Sequence, residues 1–264
     1  MAGLRDAATT LLVRDGVTSL EVFMLRRSAD AAFAPGAYVF PGGTLAEEDR
    51  APDLESVCAG RTDREASTLL GIESGGLAFW IAAIRECFEE AGVLLARDPG
   101  GGRSIEFTDT EVERRFIHHR HALQAGKRRF LNIVREEGLL LDTGSVHYFS
   151  HWITPEGLER RYDTRFFVAA APPGQQPRHD AQETVAGLWI RPTEALERYH
   201  RGTFDLVIAT LKHLEAMTRY DRAADLLDAA RAVTSVPTIL PRIVRQGDRA
   251  RSLLPGEPGY DEAT

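Results

Sequence analysis

The sequence predicts an α+β fold, and three observations predict it. Two β-prone runs open the chain, Ala8 to Arg14 and Val17 to Leu25, separated by Asp15-Gly16 as in a hairpin. A second group of strand-like runs begins near Val146. Helical patterns fall between and after the two groups, including long polar stretches near residues 50–76 and 108–140. At 264 residues, 43% hydrophobic and 27% charged, the chain reads as soluble and globular, long enough for one large domain or two small ones.

In chain order, the hairpin opens the sheet. Arg26 to Tyr38 is a loop punctuated by Pro35 and Gly36, and Val39-Phe40 is a short strand ending in Pro41-Gly42-Gly43. Adjacent glycines let the backbone turn sharply and approach a ligand closely; taken alone, a plain turn explains them equally well. Arg50 to Gly76 carries mixed charge, with a short helix expected over Arg64 to Leu70. A helix follows from near Gly76 to Gly92, a residue suited to a helix C-terminus, then a strand over Val93 to Ala96 and a turn at Asp98-Pro99-Gly100-Gly101-Gly102. Thr108 to about Gly138 is helical, with Val112, Phe116, Leu123, Phe130 and Ile133 as buried positions. Strands are expected at Val146 to Ile153, Arg165 to Ala171 and Leu188 to Ile190. Arg191-Pro192-Thr193-Glu194 opens a helix, with Thr193 or the preceding turn as its cap, and Phe204 to Met217 and Ala223 to Val233 are further helices. The tail from Ser252 is expected to be irregular.

The helix from Gly76 to Gly92 holds the chemistry. Around it, Glu90 lies about 40° from Glu86 and Glu89 about 60° the other way, while Ile84 and Phe88 face the far side at about 160°. Like charges at these spacings each cost about 0.2 to 0.5 kcal/mol. A solvated face tolerates that cost, and a hard divalent cation offsets it. The surroundings decide between the two. Arg85-Glu86-Cys87-Phe88-Glu89-Glu90-Ala91-Gly92-Val93 has the pattern Arg-Glu-apolar-x-Glu-Glu-x-Gly-apolar, and Phe40-Pro41-Gly42-Gly43 stands upstream. On these residues the chain resembles the Nudix hydrolase superfamily. In the compact signature, counting back from Arg85 reaches Gly71 and then Leu77 where an acid belongs; counting forward from Gly43 reaches Asp49. The box is therefore read as split, from Gly43 to Asp49, then an insertion of roughly residues 50–76, then the helix. Leu25-Arg26-Arg27-Ser28, Phe33 to Gly43, Ser150 to Pro155, Tyr162 to Phe167 and Leu253 to Gly256 look like the branch containing the peroxisomal coenzyme A diphosphatase, whose box is also split. A related coenzyme A signature, LLTxR[SA]x3Rx3Gx3FPGG, is met at Arg27, Ser28, Gly36 and Phe40 to Gly43, with Ala32 in place of its second arginine and Leu25 in place of its threonine.

The resemblance implies a Nudix-type α/β/α sandwich with a mixed β-sheet and additional helical insertions, as one elaborated domain over residues 1–264. It implies that Glu86, Glu89 and Glu90 bind Mg2+ or Mn2+ and that one of them acts as base, with the Gly43 carbonyl as a further ligand. Arg85 is implied as part of the catalytic group, orienting its neighbours and pairing with Asp49. Glu183, on a loop before a strand, is a candidate for metal or base, and equally a surface acid. Arg27, Ser28, Phe40, Gly42 and Gly43 are implied at the substrate. The implied reaction is metal-dependent cleavage of coenzyme A or acyl-coenzyme A into 3′,5′-ADP and (acyl-)4′-phosphopantetheine. ADP-ribose or a dinucleotide is the alternative substrate, and a non-catalytic nucleotide-binding module is the alternative function; three repelling glutamates kept together argue against the latter.

Composition narrows the classes. A net charge of −7 and a pI near 5.7 argue against a general nucleic-acid or membrane-surface binder. Cys58 and Cys87 are too few for a metal framework and suit reduced thiols in a cytoplasmic protein. Met1 to Asp6 does not open a signal peptide, and no apolar run has membrane-spanning length. The basic stretch with Arg114, Arg115, His118, His119, Arg120, His121, Lys127, Arg128 and Arg129 lacks a zinc pattern; it is expected as a solvated face, part of which could meet substrate phosphate. A homodimer is common among similar proteins.

Overall fold

The structure is a computed structural model and describes residues 3–98, 100, 102–180, 183–246 and 249–262. Met1, Ala2, and Pro99 and Gly101 of the expected turn lie outside the described residues. In chain order the elements are β1 (Leu4–Asp15), β2 (Leu20–Arg27), β3 (Tyr38–Val39), β4 (Gly42–Thr44), α1 (Asp63–Leu70), α2 (Leu77–Ala91), β5 (Ala96–Arg97), α3 (Thr110–Gln124), α4 (Phe130–Glu136), β6 (Leu140–Leu141), β7 (Val146–Ile153), β8 (Arg161–Ala170), β9 (Thr184–Ile190), α5 (Pro192–His200), α6 (Ile208–Met217), α7 (Ala223–Arg231), β10 (Thr238–Ile239), β11 (Arg242–Gln246) and β12 (Arg249–Leu253). Short 3-10 turns at Glu47–Arg50 and Leu54–Val57 precede α1.

The main sheet is mixed, ordered β10-β7-β8-β1-β2-β3, with β4 also on β1 and β9 also on β2. β1 runs parallel to β8, and β10 to β7. β1 is apolar on both sides, so it needs cover on both. Ala8 and Leu12 pack with Phe23, Leu25 and Phe167 against Ile81, Ile84 and Phe88 of α2. Leu11 and Val13 pack with Val22, Met24 and Val168 against Leu214, Met217 and Leu226 of α6 and α7. Helices thus cover both faces, giving the α/β/α sandwich. The Thr10 hydroxyl, buried between β1 and α2, donates to the Ala83 carbonyl at 3.1 Å and so satisfies its own polarity.

Where local patterns and the structure differ, tertiary bonds explain it. Val17 is exposed in the β1–β2 turn, outside β2, because Gly16 N–H donates to Ser19 O at 2.9 Å and closes the turn there. Val93 to Leu95 are buried without forming a strand: the Gln175 side-chain amide takes both polar groups of Leu94, at 2.8 and 3.0 Å, and pairing with β6 begins only at Ala96. Phe204 to Val207 precede α6 in place of extending it, since Tyr38 N–H donates to Asp205 O and the Tyr38 and Phe204 rings stack at 3.6 Å. Pro192 occupies the first turn of α5 after Arg191, with no side-chain cap from Thr193. Ser252 and Leu253 are in β12, which pairs with β11.

The insertion between Asp49 and α2 closes the start of α2. Thr62 and Glu65 cap α1 reciprocally, and the Asp63 carboxylate accepts from Gly75 N–H at 3.0 Å and Leu77 N–H at 2.9 Å. Gly76 donates to the Ser67 hydroxyl, and a Cβ at Gly76 would lie 2.3 Å from Ser67 N. Gly76→Ala is therefore expected to push α1 off α2 and lower stability by about 1 to 3 kcal/mol, measured by urea unfolding. An unchanged midpoint would mean that the two helices separate freely.

Candidate active site

α2 seats Ile81, Ile84 and Phe88 in the core and turns Glu86, Glu89 and Glu90 to a cleft of about 550 Å³. Arg27, Phe40, Gly42, Gly43 and Glu183 line the same cleft; Arg85 and Ser28 do not. Arg85 lies behind it, buried, with all five of its donors engaged. Nε donates to Asp49 Oδ1 at 3.0 Å, and Nη2 to Asp49 Oδ2 at 2.8 Å and Thr44 O at 2.9 Å. Nη1 donates to Glu86 Oε1 at 2.8 Å and Glu89 Oε1 at 2.9 Å. Asp49 is 0% exposed and also accepts from Ala46 N–H at 2.7 Å.

The two glycines are required by contact. A Cβ on Gly43 would lie 2.5 Å from Glu86 Oε1, and one on Gly42 would lie 2.7 Å from the Ala8 carbonyl. Gly42 N–H donates to Glu90 Oε2 at 2.9 Å. Ser28 serves its own loop: its hydroxyl accepts from Asp30 N–H, and its N–H donates to the Glu183 carbonyl at 3.0 Å. That bond ties the loop after β2 to the segment carrying Glu183.

The site holds more negative charge than it neutralises. Asp49, Glu86 and Glu89 share one guanidinium; among the described residues Glu90 accepts a hydrogen bond from the Gly42 backbone alone, with the Arg27 charge acting on it as well. Burial pushes the Glu86 carboxyl up to about 7 against the pull of Arg85, with the Glu89 charge adding to the rise. Burial, and then the Glu86 charge, raise Glu90 well above the usual carboxylate range, and Glu183 adds to the push. Among the described residues no three His, Cys, Asp or Glu side chains form a finished metal cage. Arg85 draws Glu86 and Glu89 toward itself, and Gly42 holds Glu90. The donor chemistry fits a hard divalent cation nonetheless: carboxylate oxygens, surplus negative charge, and a backbone kept free of side chain at Gly43.

Other walls of the cleft are apolar, with Phe33, Trp152, Leu158, Tyr162, Phe166 and Ile208 among them. The basic stretch is not uniformly solvated. His119 is buried and bonds Glu137 at 2.9 Å. Arg120 is 8% exposed and donates to the carbonyls of Glu89 and Glu90. Sequence reasoning missed this residue, although a signal was present: Arg120 follows Phe116 by four and precedes Leu123 by three, inside the apolar stripe. A cation in such a stripe needs buried acceptors.

The raised carboxyls set the sign of a pH effect. In the metal-free chain, folding favours the protonated form of Glu86, so its contribution is fully present below about 4.5, the unfolded value, and is lost as pH rises through about 7. One such group gives a slope of about 1.4 kcal/mol per pH unit within that window. Thermal melts of the metal-free chain are expected to show a component that falls across this range and is flattened by Glu86→Gln. A melt series whose slope ignores that substitution would contradict the assignment.

Residues 55–215 match the family model of the NUDT19 Nudix domain. Among the chain's relatives is the acyl-coenzyme A diphosphatase NUDT19 of Homo sapiens, 29% identical over 278 residues, which span 91% of this chain and 72% of that one. The protein of the same name from Gallus gallus is 28% identical over 304 residues, spanning 98% of this chain and 80% of that one. A crystal structure of a Nudix hydrolase from Alicyclobacillus acidocaldarius superimposes with a TM-score of 0.71 at 26% identity, covering 90% of this chain and 99% of that one. Nudix hydrolases generally use a divalent metal. The family match spans α2 and the paired strands β7 and β8, and the chain belongs to the Nudix hydrolases, in the family of the NUDT19 Nudix domain.

Proposed function

We propose that the chain hydrolyses the diphosphate linkage of coenzyme A or acyl-coenzyme A, giving 3′,5′-ADP and (acyl-)4′-phosphopantetheine. The observation that carries this reading is the make-up of the cleft, in which an acidic wall from α2 meets an apolar wall from other segments. A diphosphate joined to a long, partly apolar arm needs both. The relatives named acyl-coenzyme A diphosphatases support the same choice. The whole chain is read as one elaborated domain: Leu54 and Leu70 of the first insertion and Phe116 and Phe130 of the second share the core around α2.

Glu86, Glu89 and Glu90, with Glu183 and the Gly43 carbonyl as further donors, are the groups that would hold Mg2+ or Mn2+. Such an ion, when bound, polarises phosphate oxygens, activates water and offsets charge on the leaving phosphate. Arg85 keeps Glu86 and Glu89 oriented while pinning Asp49 and Thr44 behind them. Glu89 is the more exposed of the pair bound to Arg85, at 23% against 13% for Glu86, which favours it as the group that takes a proton from the attacking water. Arg27 lines the cleft with its Nε without a hydrogen-bond partner among the described residues, and is assigned to a substrate phosphate. Phe40, Gly42 and Gly43 shape the floor on which the diphosphate lies.

The direct test incubates the purified chain with Mg2+ or Mn2+ and a panel of coenzyme A, acyl-coenzyme A, ADP-ribose and dinucleotides. Phosphopantetheine is the expected product. Glu89→Gln and Glu90→Gln are each expected to lower kcat about 100-fold or more, and a chelator to abolish turnover. Selective cleavage of ADP-ribose or a dinucleotide would discard coenzyme A as the substrate. A second test separates the apolar wall from the acidic one. Leu158 is 43% exposed, so Leu158→Asp spares the core; it is expected to raise KM for octanoyl-coenzyme A about tenfold while leaving coenzyme A itself nearly unchanged. Equal changes for both substrates would remove Leu158 from acyl recognition.

A further inference from the structure

The last turn of α2 carries two of the three glutamates, and each of its carbonyls has a known partner. Gly92, in the left-handed conformation at φ 69°, returns its N–H to Phe88 O at 3.0 Å. Val93 N–H reaches Cys87 O at 3.4 Å, and Arg178 N–H reaches Ala91 O at 2.8 Å. The two carbonyls that remain belong to Glu89 and Glu90, and both go to α3. Arg120 Nε donates to Glu89 O and Arg120 Nη2 to Glu90 O, each at 2.8 Å, while Gln124 Nε2 donates to Glu89 O at 2.6 Å. Arg120 Nη2 also donates to Arg178 O at 2.9 Å. One buried guanidinium therefore joins the end of α2 to the segment that leads toward Glu183.

Gly92 makes room for it. A Cβ there would lie 2.9 Å from Arg120 Nη1. The cation sits at the negative end of the helix dipole, and the charges of Asp180 and Glu90 favour it as well. The carbonyls that it holds lie on the backbone of Glu89 and Glu90, so a slip of this turn carries both carboxylates with it.

We infer that Arg120 is a positioning residue for the reaction: through the Glu89 and Glu90 carbonyls and Arg178 O, it sets the acidic wall of the cleft in register with the segment bearing Glu183. On this inference, which rests on the glutamates holding a cation, the second insertion is part of the catalytic scaffold.

The test uses the full chain and the metal alone. Mn2+ binding to the substrate-free protein is measured by isothermal titration for the wild type, Arg120→Lys, Gln124→Leu and Phe116→Leu. Phe116→Leu is the packing control, since Phe116 meets Phe88 edge to face at 6.4 Å and its side chain carries no donor for the α2 carbonyls named above. Arg120→Lys is expected to weaken Mn2+ binding about tenfold and to lower kcat with little change in KM. Phe116→Leu is expected to lower the melting temperature and leave Mn2+ affinity in place. Unchanged Mn2+ affinity in Arg120→Lys, or an equal loss in Phe116→Leu, would overturn the inference. If Arg120→Lys does not fold, Gln124→Leu carries the same comparison through the Glu89 carbonyl alone. A wild-type chain that binds Mn2+ but does not cleave coenzyme A would leave the inference standing and discard the substrate; a wild-type chain that binds no Mn2+ would overturn both.

Discussion

The buried Arg85 guanidinium is the interaction on which the acidic site depends. It joins Asp49, Glu86, Glu89 and the Thr44 carbonyl, groups drawn from both sides of a long insertion. Taking charges of this kind from water costs several kcal/mol each, so the cluster is weak as a source of stability. Its worth is in geometry. Removing the guanidinium would leave Asp49 buried with no cation and turn Glu86 and Glu89 against each other. The two halves of the split motif are thus one unit in space: Asp49 is 36 residues from Arg85 along the chain and 2.8 Å from it in the fold.

The insertions meet the same helix at its two ends, with charges of the sign that each end prefers. At the start of α2, Asp63 accepts from Gly75 and Leu77 N–H; at its finish, Arg120 and Gln124 donate to the Glu89 and Glu90 carbonyls. An acid at the amide end and a base at the carbonyl end both lower the energy of the helix dipole. α2 has no acid in its own first turn and no base in its last, because its sequence is committed to core contacts and to the site. Capping groups supplied by other elements resolve that conflict.

The parts of the structure legible in sequence are those fixed by short-range rules. Gly76 and Gly92 bracket α2 where the sequence placed its ends, and the opposed faces of that helix follow from residue spacing alone. β7 spans Val146–Ile153, the run expected as a strand. Long-range bonds were invisible: nothing near Leu94 announces that Gln175 satisfies its backbone, and nothing near Phe204 announces its stack on Tyr38. Ser28 sits within a matched motif and yet bonds its own loop, since a motif fixes which residue is present and leaves its side chain's direction to the fold. Arg120 was hidden by its basic neighbours; only its position between Phe116 and Leu123 distinguishes it.

This division has a physical source that bears on substrate as well. The acidic wall comes largely from one helix, so its chemistry is written in a few consecutive residues. The apolar wall is assembled from Trp152 at the end of β7, Leu158 in the turn before β8, Phe166 in β8, Ile208 in α6 and Ile243 in β11. No local pattern contains those five positions, and each also obeys the ordinary demands of strand, turn or helix. A site of this kind keeps its reaction in a motif and its choice of substrate in tertiary packing, so changes along the apolar wall can redirect specificity while the Arg85 cluster and its carboxylates remain as they are.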